Sequence, residues 1–166
     1  MKRWVSGGIV AMACVFGATL ATTSASTSGL IGVQELPQAP GQEITLQLCS
    51  GSCHGIERFT GEHRSKSQWA DTIEQMKGSG LKGADDDLAT AIRYLTMHFG
   101  VQVRINKATA KQIDDALILD AGQADAIVKY RDEKGPFADF AALLLVPGLD
   151  AKKLEEQKAN IVFGTE

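Results

Sequence analysis

From Ile44 onward, apolar positions recur every three or four residues, and strict two-residue alternation is nearly absent. Ser65-Lys66-Ser67-Gln68 has the pattern of a helix-opening capping box, in which the side chains of Ser65 and Gln68 satisfy first-turn amides. Trp69, Ile73 and Met76 then share one helical face, and Gly78 and Gly80 stop the helix. Asp85, Asp86 and Asp87 open a further helix, where negative charge suits the positive end of the dipole. Its apolar stripe is Leu88, Ile92, Leu95 and Phe99, and Gly100 ends it. Residues 45–100 therefore predict three short helices joined by loops.

A second series starts near Val101. Thr109-Ala110-Lys111-Gln112 is another capping box, followed by Ile113, Ala116 and Leu117 on one face. Ala124, Ile127, Val128 and Arg131 predict the next helix, stopped by Gly135-Pro136. A third is expected over Asp139 to Leu145, before Pro147-Gly148, and a fourth over Ala151 to Lys158 with Asp150 as its cap. The stretch Ala142 to Leu154 loosely repeats Ala116 to Val128 as helix, tight turn, helix. With almost no strand pattern, the expected fold class is all-α.

The first residues read as an address. Lys2 and Arg3 precede an apolar run from Trp4 to Ala21, and small residues cluster from Thr22 to Ser26. That layout predicts a signal peptide cleaved after Ala25. A retained membrane anchor is the other reading, and Ala11, Met12 and Ala13 before Cys14 lack the leucine of a lipobox. The expected organisation is a signal peptide at 1–25, a flexible tether at 26–44, and helical domains at 45–100 and 101–166. The mature chain would be periplasmic, without a membrane span, and would keep two cysteines, Cys49 and Cys53.

Composition narrows the function classes. The 166 residues are 44% hydrophobic and 22% charged, with a net charge of -3, which excludes a wholly disordered chain. Mild acidity gives no general attraction to nucleic acid. No Ser/His/Asp order and no glycine-rich phosphate loop stands out, so the chain does not read as an enzyme.

Chemistry concentrates in Cys49-Ser50-Gly51-Ser52-Cys53-His54-Gly55. Two thiols this close in an exported chain suit a disulfide, a metal, or thioether attachment of haem with histidine as axial ligand. One-turn spacing allows the disulfide only with adjustment. A zinc site using Cys49, Cys53, His54 or His63 is hampered by the adjacency of Cys53 and His54 and by the lack of a second pair. Haem attachment needs histidine directly after the second cysteine, and His54 is there. The usual spacing has two residues between the cysteines, and this chain has three.

Leu46 to Gly100 resembles a small class I-like c-type cytochrome domain. The residues that carry the resemblance are Cys49, Cys53, His54-Gly55, the run Arg64 to Trp69, Met76, and the closing helix with Tyr94-Leu95. It implies covalent haem c, His54 as proximal iron ligand and Met76 as distal ligand, with His63, Met97 and His98 as the other distal candidates. It also implies a C-terminal helix packed across the first, and a redox partner such as a dehydrogenase or another cytochrome. Read without the resemblance, Met76 on the Trp69/Ile73 face also fits core filling. Trp69 reads as a packing residue, and Asp85–Asp87 as a solvated helix start.

Residues 103–163 resemble the tandem helix-hairpin-helix module of the bacterial competence DNA-receptor family. The carrying stretches are Ile105 to Thr109, Ala126 to Arg131, Gly135-Pro136-Phe137 and Val146 to Asp150. In DNA-binding members each hairpin presents Gly-hydrophobic-Gly, whose bare amides at a helix N-terminus hold a phosphate. Here the hairpins read Ile118-Leu119-Asp120 and Gly148-Leu149-Asp150, so each places a carboxylate where a phosphate would sit. Residues 101–166 hold nine Lys/Arg and eleven Asp/Glu, a net of -2, which disfavours a phosphate-neutralising surface. The leading expectation is a periplasmic single-haem electron carrier with a helix-hairpin-helix docking module. The alternative is an exported helix-hairpin-helix DNA-binding protein of the DNA-uptake receptor kind.

Overall fold

Residues 36–50 and 54–164 are described by the structure, a computed structural model, and they lie within one folded unit, Gln34–Glu166. The expected signal peptide, the first part of the tether and Cys53 fall outside the described residues. The fold is all-α, as the periodicity implies, and no described helix is long and apolar enough to cross a membrane.

The N-terminal half holds α1 (Gln42–Cys49), α2 (Glu57–Thr60), α3 (Lys66–Gly78) and α4 (Asp85–His98). That is one short helix more than the pattern predicts, since α2 is a single turn and too brief to leave a periodic signature. The expected tether ends earlier than residue 44. Leu36 is buried, the Tyr94 hydroxyl donates to the Pro37 carbonyl at 2.6 Å, and Gln42 Nε2 donates to the Leu36 carbonyl at 3.0 Å. A Pro- and Gly-rich stretch still lacks regular structure, yet its apolar residue and carbonyls are anchored to helices.

Helix α1 packs against α4, and α3 packs against α4. Gly41 sits where the chain enters α1, with a φ of +96°. A Cβ there would lie 3.2 Å from the side chains of both Thr90 and Tyr94 on α4, so the close approach and the left-handed backbone both call for glycine. Trp69, Tyr94, Leu95, Phe59 and Phe99 form the main apolar cluster of this half, and Phe59 meets Phe99 edge-to-face at 6.0 Å. Ile73, Leu88 and Ala91 close a smaller one. The Ser65 capping box forms as expected: Ser65 N–H donates to Gln68 Oε1 at 2.9 Å, and Gln68 N–H returns to Ser65 Oγ.

The C-terminal half runs α5 (Ala110–Ala116), α6 (Gln123–Lys134), α7 (Phe140–Leu143) and α8 (Ala151–Glu156), followed by a 3₁₀ turn over Lys158–Asn160. Its core is Ile105, Ile113, Leu117, Ile127, Leu143 and Leu154, all essentially buried. Helix α7 is shorter than the expected Asp139–Leu145, because Leu145 and Val146 turn back onto the carbonyls of Ala142 and Leu143 as the chain enters Pro147-Gly148. A parallel pair of two-residue strands, β1 (Val103–Arg104) and β2 (Ile161–Val162), joins the two ends of this half. Nothing in so short a segment reads as a strand.

Several residues of the helix-hairpin-helix resemblance have structural tasks. The Asn106 side chain accepts from Phe137 N–H and donates to the Phe137 and Phe163 carbonyls. Arg131 Nη1 donates to the carbonyls of Ile105 and Ala108 at 2.9 and 3.0 Å. Tyr130 stacks on Phe137 at 5.9 Å.

The C-terminal half caps helices of the N-terminal half at two points. Asp115 accepts from the Ser67 N–H at 2.8 Å and the Ser67 hydroxyl at 3.0 Å, and Lys66 meets Asp114 at 2.8 Å. These contacts place negative charge at the positive end of α3. Asn160 Nδ2 donates to the Thr96 and Met97 carbonyls at the other end of α4. Gly100 permits that contact, since a Cβ there would come within 2.2 Å of the Thr96 carbonyl oxygen and 2.9 Å of Asn160 Nδ2.

Candidate functional site

Two of the residues singled out in the sequence share one cleft. His54, at the start of the loop before α2, and Met76, on the last turns of α3, both line a cavity of about 430 Å³. Phe59 and Trp69 supply its apolar walls, and Arg58, Glu62 and Arg64 its polar rim. His54 Nδ1 lies 2.9 Å from the Gly55 carbonyl oxygen. A carbonyl only accepts, so Nδ1 is the donor in this contact, the tautomer that leaves Nε2 to face a ligand.

Trp69 is oriented by a bond from Nε1 to the Phe99 carbonyl at 3.2 Å. Arg64 covers the Trp69 ring, 5.6 Å from its centre, and is held by Thr72 Oγ1 and by two bonds to Glu62. Its role as a wall of this cleft was not legible beyond its place in the Arg64–Trp69 run. A residue that lies over a ring five positions along shows itself only when the loop geometry is known.

Cys49 is buried at the end of α1, and burial pushes its thiol pKa above the ordinary range. Its expected partner in attachment, Cys53, lies outside the described residues. The remaining distal candidates are placed elsewhere. His63 Nδ1 is 3.2 Å from the Gly100 carbonyl, and Met97 and His98 line a different cavity beside α8. Among the described residues, no group of three or more His, Cys, Asp or Glu side chains is arranged to hold a metal ion.

The hairpins can be assessed by asking where their amides go. In the α5–α6 hairpin, Ile118 N–H donates to Gln157 Oε1 at 2.6 Å, and Gln157 Nε2 donates back to the Ile118 carbonyl at 3.1 Å. Asp120 N–H donates to Gln123 Oε1 at 3.0 Å, and Gln123 Nε2 reaches across to the Gly148 carbonyl of the other hairpin at 2.7 Å. The Asp120 carboxylate is paired with Lys153 at 2.6 Å. In the α7–α8 hairpin, Asp150 Oδ1 accepts from the amides of Lys152 and Lys153 at 3.0 and 3.1 Å.

Amides that a phosphate would need at these turns are thus bonded to side chains of the same chain. Gln123 and Gln157 were missed as site residues. Each looks like an ordinary helix-surface glutamine in sequence, and its partner lies on another element.

Comparison with known proteins bears on the C-terminal half. The helix-hairpin-helix motif matches residues 98–162. An uncharacterized protein of Haemophilus influenzae is 38% identical over 63 residues, covering 37% of this chain and 56% of that protein. The chain thus spans about half the length of the curated relative it matches. No solved structure matches. No comparison supports the c-type cytochrome resemblance of residues 45–100, and the two-residue attachment spacing is absent from the chain. Both the match and the two helical hairpins lead to one conclusion: residues 98–162 carry a helix-hairpin-helix motif.

Proposed function

We propose that this chain is an exported single-haem c-type cytochrome whose helix-hairpin-helix half docks a protein partner. The observation that carries the reading is the convergence of His54 and Met76 on one cleft walled by Phe59 and Trp69. An imidazole and a thioether line one cavity, whose volume is within the roughly 300–1,000 Å³ of ligand pockets, while Cys49, buried at the end of α1, is not among its lining residues. Cys49 and Cys53 would hold the group through thioether bonds, His54 would be its proximal ligand and Met76 its distal one. When bound, haem supplies one-electron redox chemistry, and a thioether opposite imidazole favours reduced iron. Phe59 and Trp69 give the cleft its apolar contact surface, and the Gly55 carbonyl fixes the His54 tautomer.

The experiment is acid-acetone treatment of the mature, exported protein. Covalent haem keeps its colour in the protein pellet, and Cys53→Ala impairs attachment. Colour extracted wholly into solvent, or an absence of colour, defeats the proposal.

A second reading is a DNA-binding protein of the DNA-uptake receptor kind. The match at residues 98–162 supports it more directly than it supports electron transfer, because helix-hairpin-helix motifs are common DNA-binding elements. Against it stand the amides committed to Gln157, Gln123 and Asp150, the carboxylates of Asp120 and Asp150, and the net charge of -2 over residues 101–166. A salt titration of the whole mature chain against a labelled duplex separates the readings. Micromolar binding at physiological salt, lost as salt rises, establishes the second. Binding weaker than about 10⁻⁴ M accords with the first.

A further inference from the structure

The structure gives Cys49 a different task from the one its place in the sequence suggests. Cys49 is the last residue of α1, and Thr45, one turn earlier on the same face, is buried with it. That face belongs to a helix packed against α4. Cys49 is 7% exposed and sits in the apolar cluster with Leu36, Trp69, Tyr94 and Leu95. Its turn is closed by the Ser50 N–H, which donates to the Leu46 carbonyl at 2.8 Å. Burial pushes the thiol pKa up, which suits a cysteine serving as a small core residue.

The His54/Met76 cleft does not include it. Phe59 and Trp69 belong both to the cluster that holds Cys49 and to the walls of the cleft, yet the Cys49 side chain is not among the groups that line the cavity. To reach a group bound there, Cys49 would have to leave the core and open the last turn of α1. Spacing works in the same direction, because the third intervening residue sets Cys49 one position farther from His54 than the usual attachment motif does. Cys53 precedes His54 directly, so one peptide unit of about 3.8 Å joins it to a residue that lines the cleft.

We infer that Cys49 is a core thiol that takes no part in haem attachment, and that the group hangs on Cys53 by a single thioether. This rests on the haem reading and narrows its attachment from two bonds to one. In that bond the Cys53 sulfur joins one carbon of a haem vinyl and the thiol proton joins the other. The vinyl double bond becomes single, no oxidant or reductant is consumed, and the second vinyl is left intact.

The test is an alkylation map of the mature, exported, haem-bearing protein. The chain is denatured, reduced and treated with iodoacetamide, and its peptides are weighed by mass spectrometry. A thioether survives reduction and blocks alkylation. Cys49 should carry one carbamidomethyl group, and the haem mass should stay on the peptide of Cys53. The alkaline pyridine haemochrome should absorb between haem b and two-thioether haem c, since one vinyl remains. Cys49→Ala should keep its haem-to-protein ratio in the acid-acetone pellet, whereas Cys53→Ala should lose it. The map of the unaltered protein decides the matter even if Cys49→Ala misfolds. Both cysteines blocked, with a two-thioether haemochrome, overturns the inference and leaves the haem reading standing. Both cysteines alkylated, with no haem on any peptide, overturns the haem reading and the inference with it.

Discussion

Replacing Gln157 by leucine tests whether the first hairpin is sealed by its own chain. Gln157 is 1% exposed, and its side chain makes three hydrogen bonds: it accepts from Ile118 N–H and donates to the Ile118 and Lys153 carbonyls. Leucine is close in volume and fills the space, so the cavity cost is small. The Ile118 N–H and C=O lose their partners while Ile118 stays 8% exposed. Each buried polar group left without a partner costs about 1–3 kcal/mol, so the loss of both should be about 2–6 kcal/mol. That is a large part of the roughly 5–15 kcal/mol stability of a typical domain.

Urea unfolding of the mature chain, followed by far-ultraviolet circular dichroism, measures it, with an unchanged slope showing that the same surface unfolds. Gln157→Glu keeps an acceptor for Ile118 N–H but sets a buried carboxylate against the Ile118 and Lys153 carbonyls, so at neutral pH it should lose at least as much as Gln157→Leu. A loss below about 1 kcal/mol for Gln157→Leu would falsify the argument, since water or a relaxed loop would then serve the Ile118 groups as well as the glutamine does.

Met76→Ala in the haem-loaded protein should abolish the weak far-red band of sulfur-ligated oxidised haem and lower the reduction potential; an unchanged spectrum hands the distal role to His63, Met97 or His98. Asp115 is expected to make stability fall in acid. Partial burial works to raise its pKa, but hydrogen bonds from Ser65 and Ser67 and the charge of Lys66 outweigh burial and hold it below the usual aspartate value. A group lowered in the folded state contributes its stability above the unfolded value of about 3.9 and loses it as pH falls through the folded one. Asp115→Asn should therefore flatten the dependence of urea stability on pH in that window, and an unchanged slope there would remove Asp115 from the account. Asp150→Gly should release the Lys152 and Lys153 amides at a cap cost of only a few tenths of a kcal/mol. If the second hairpin is a closed phosphate site, salt-sensitive binding to a labelled duplex should rise in this variant, and no gain counts against that ancestry.

The sequence alone determined the features whose causes lie within a few residues. The capping boxes at Ser65–Gln68 and Thr109–Gln112 were legible because each exchanges bonds across three positions. The stripe on α4 and the stops at Gly80 and Gly135 were legible because helical periodicity and glycine backbone preferences are local. The acidic side chains at both hairpins were visible in the same way, as departures from Gly-hydrophobic-Gly.

Tertiary structure decided what depends on distant partners. It brought His54 and Met76 to one cleft and set Met97 and His98, the other distal candidates on α4, on another. It turned Asp115 into the external cap of α3, 48 positions from Ser67, and gave Ile118 to Gln157, 39 positions away. It paired β1 with β2 from opposite ends of their half. Such contacts leave no periodic trace, because hydrogen bonds and packing across the core depend on how helices cross, and many surface-like Asp, Asn and Gln residues would read identically until that crossing is made.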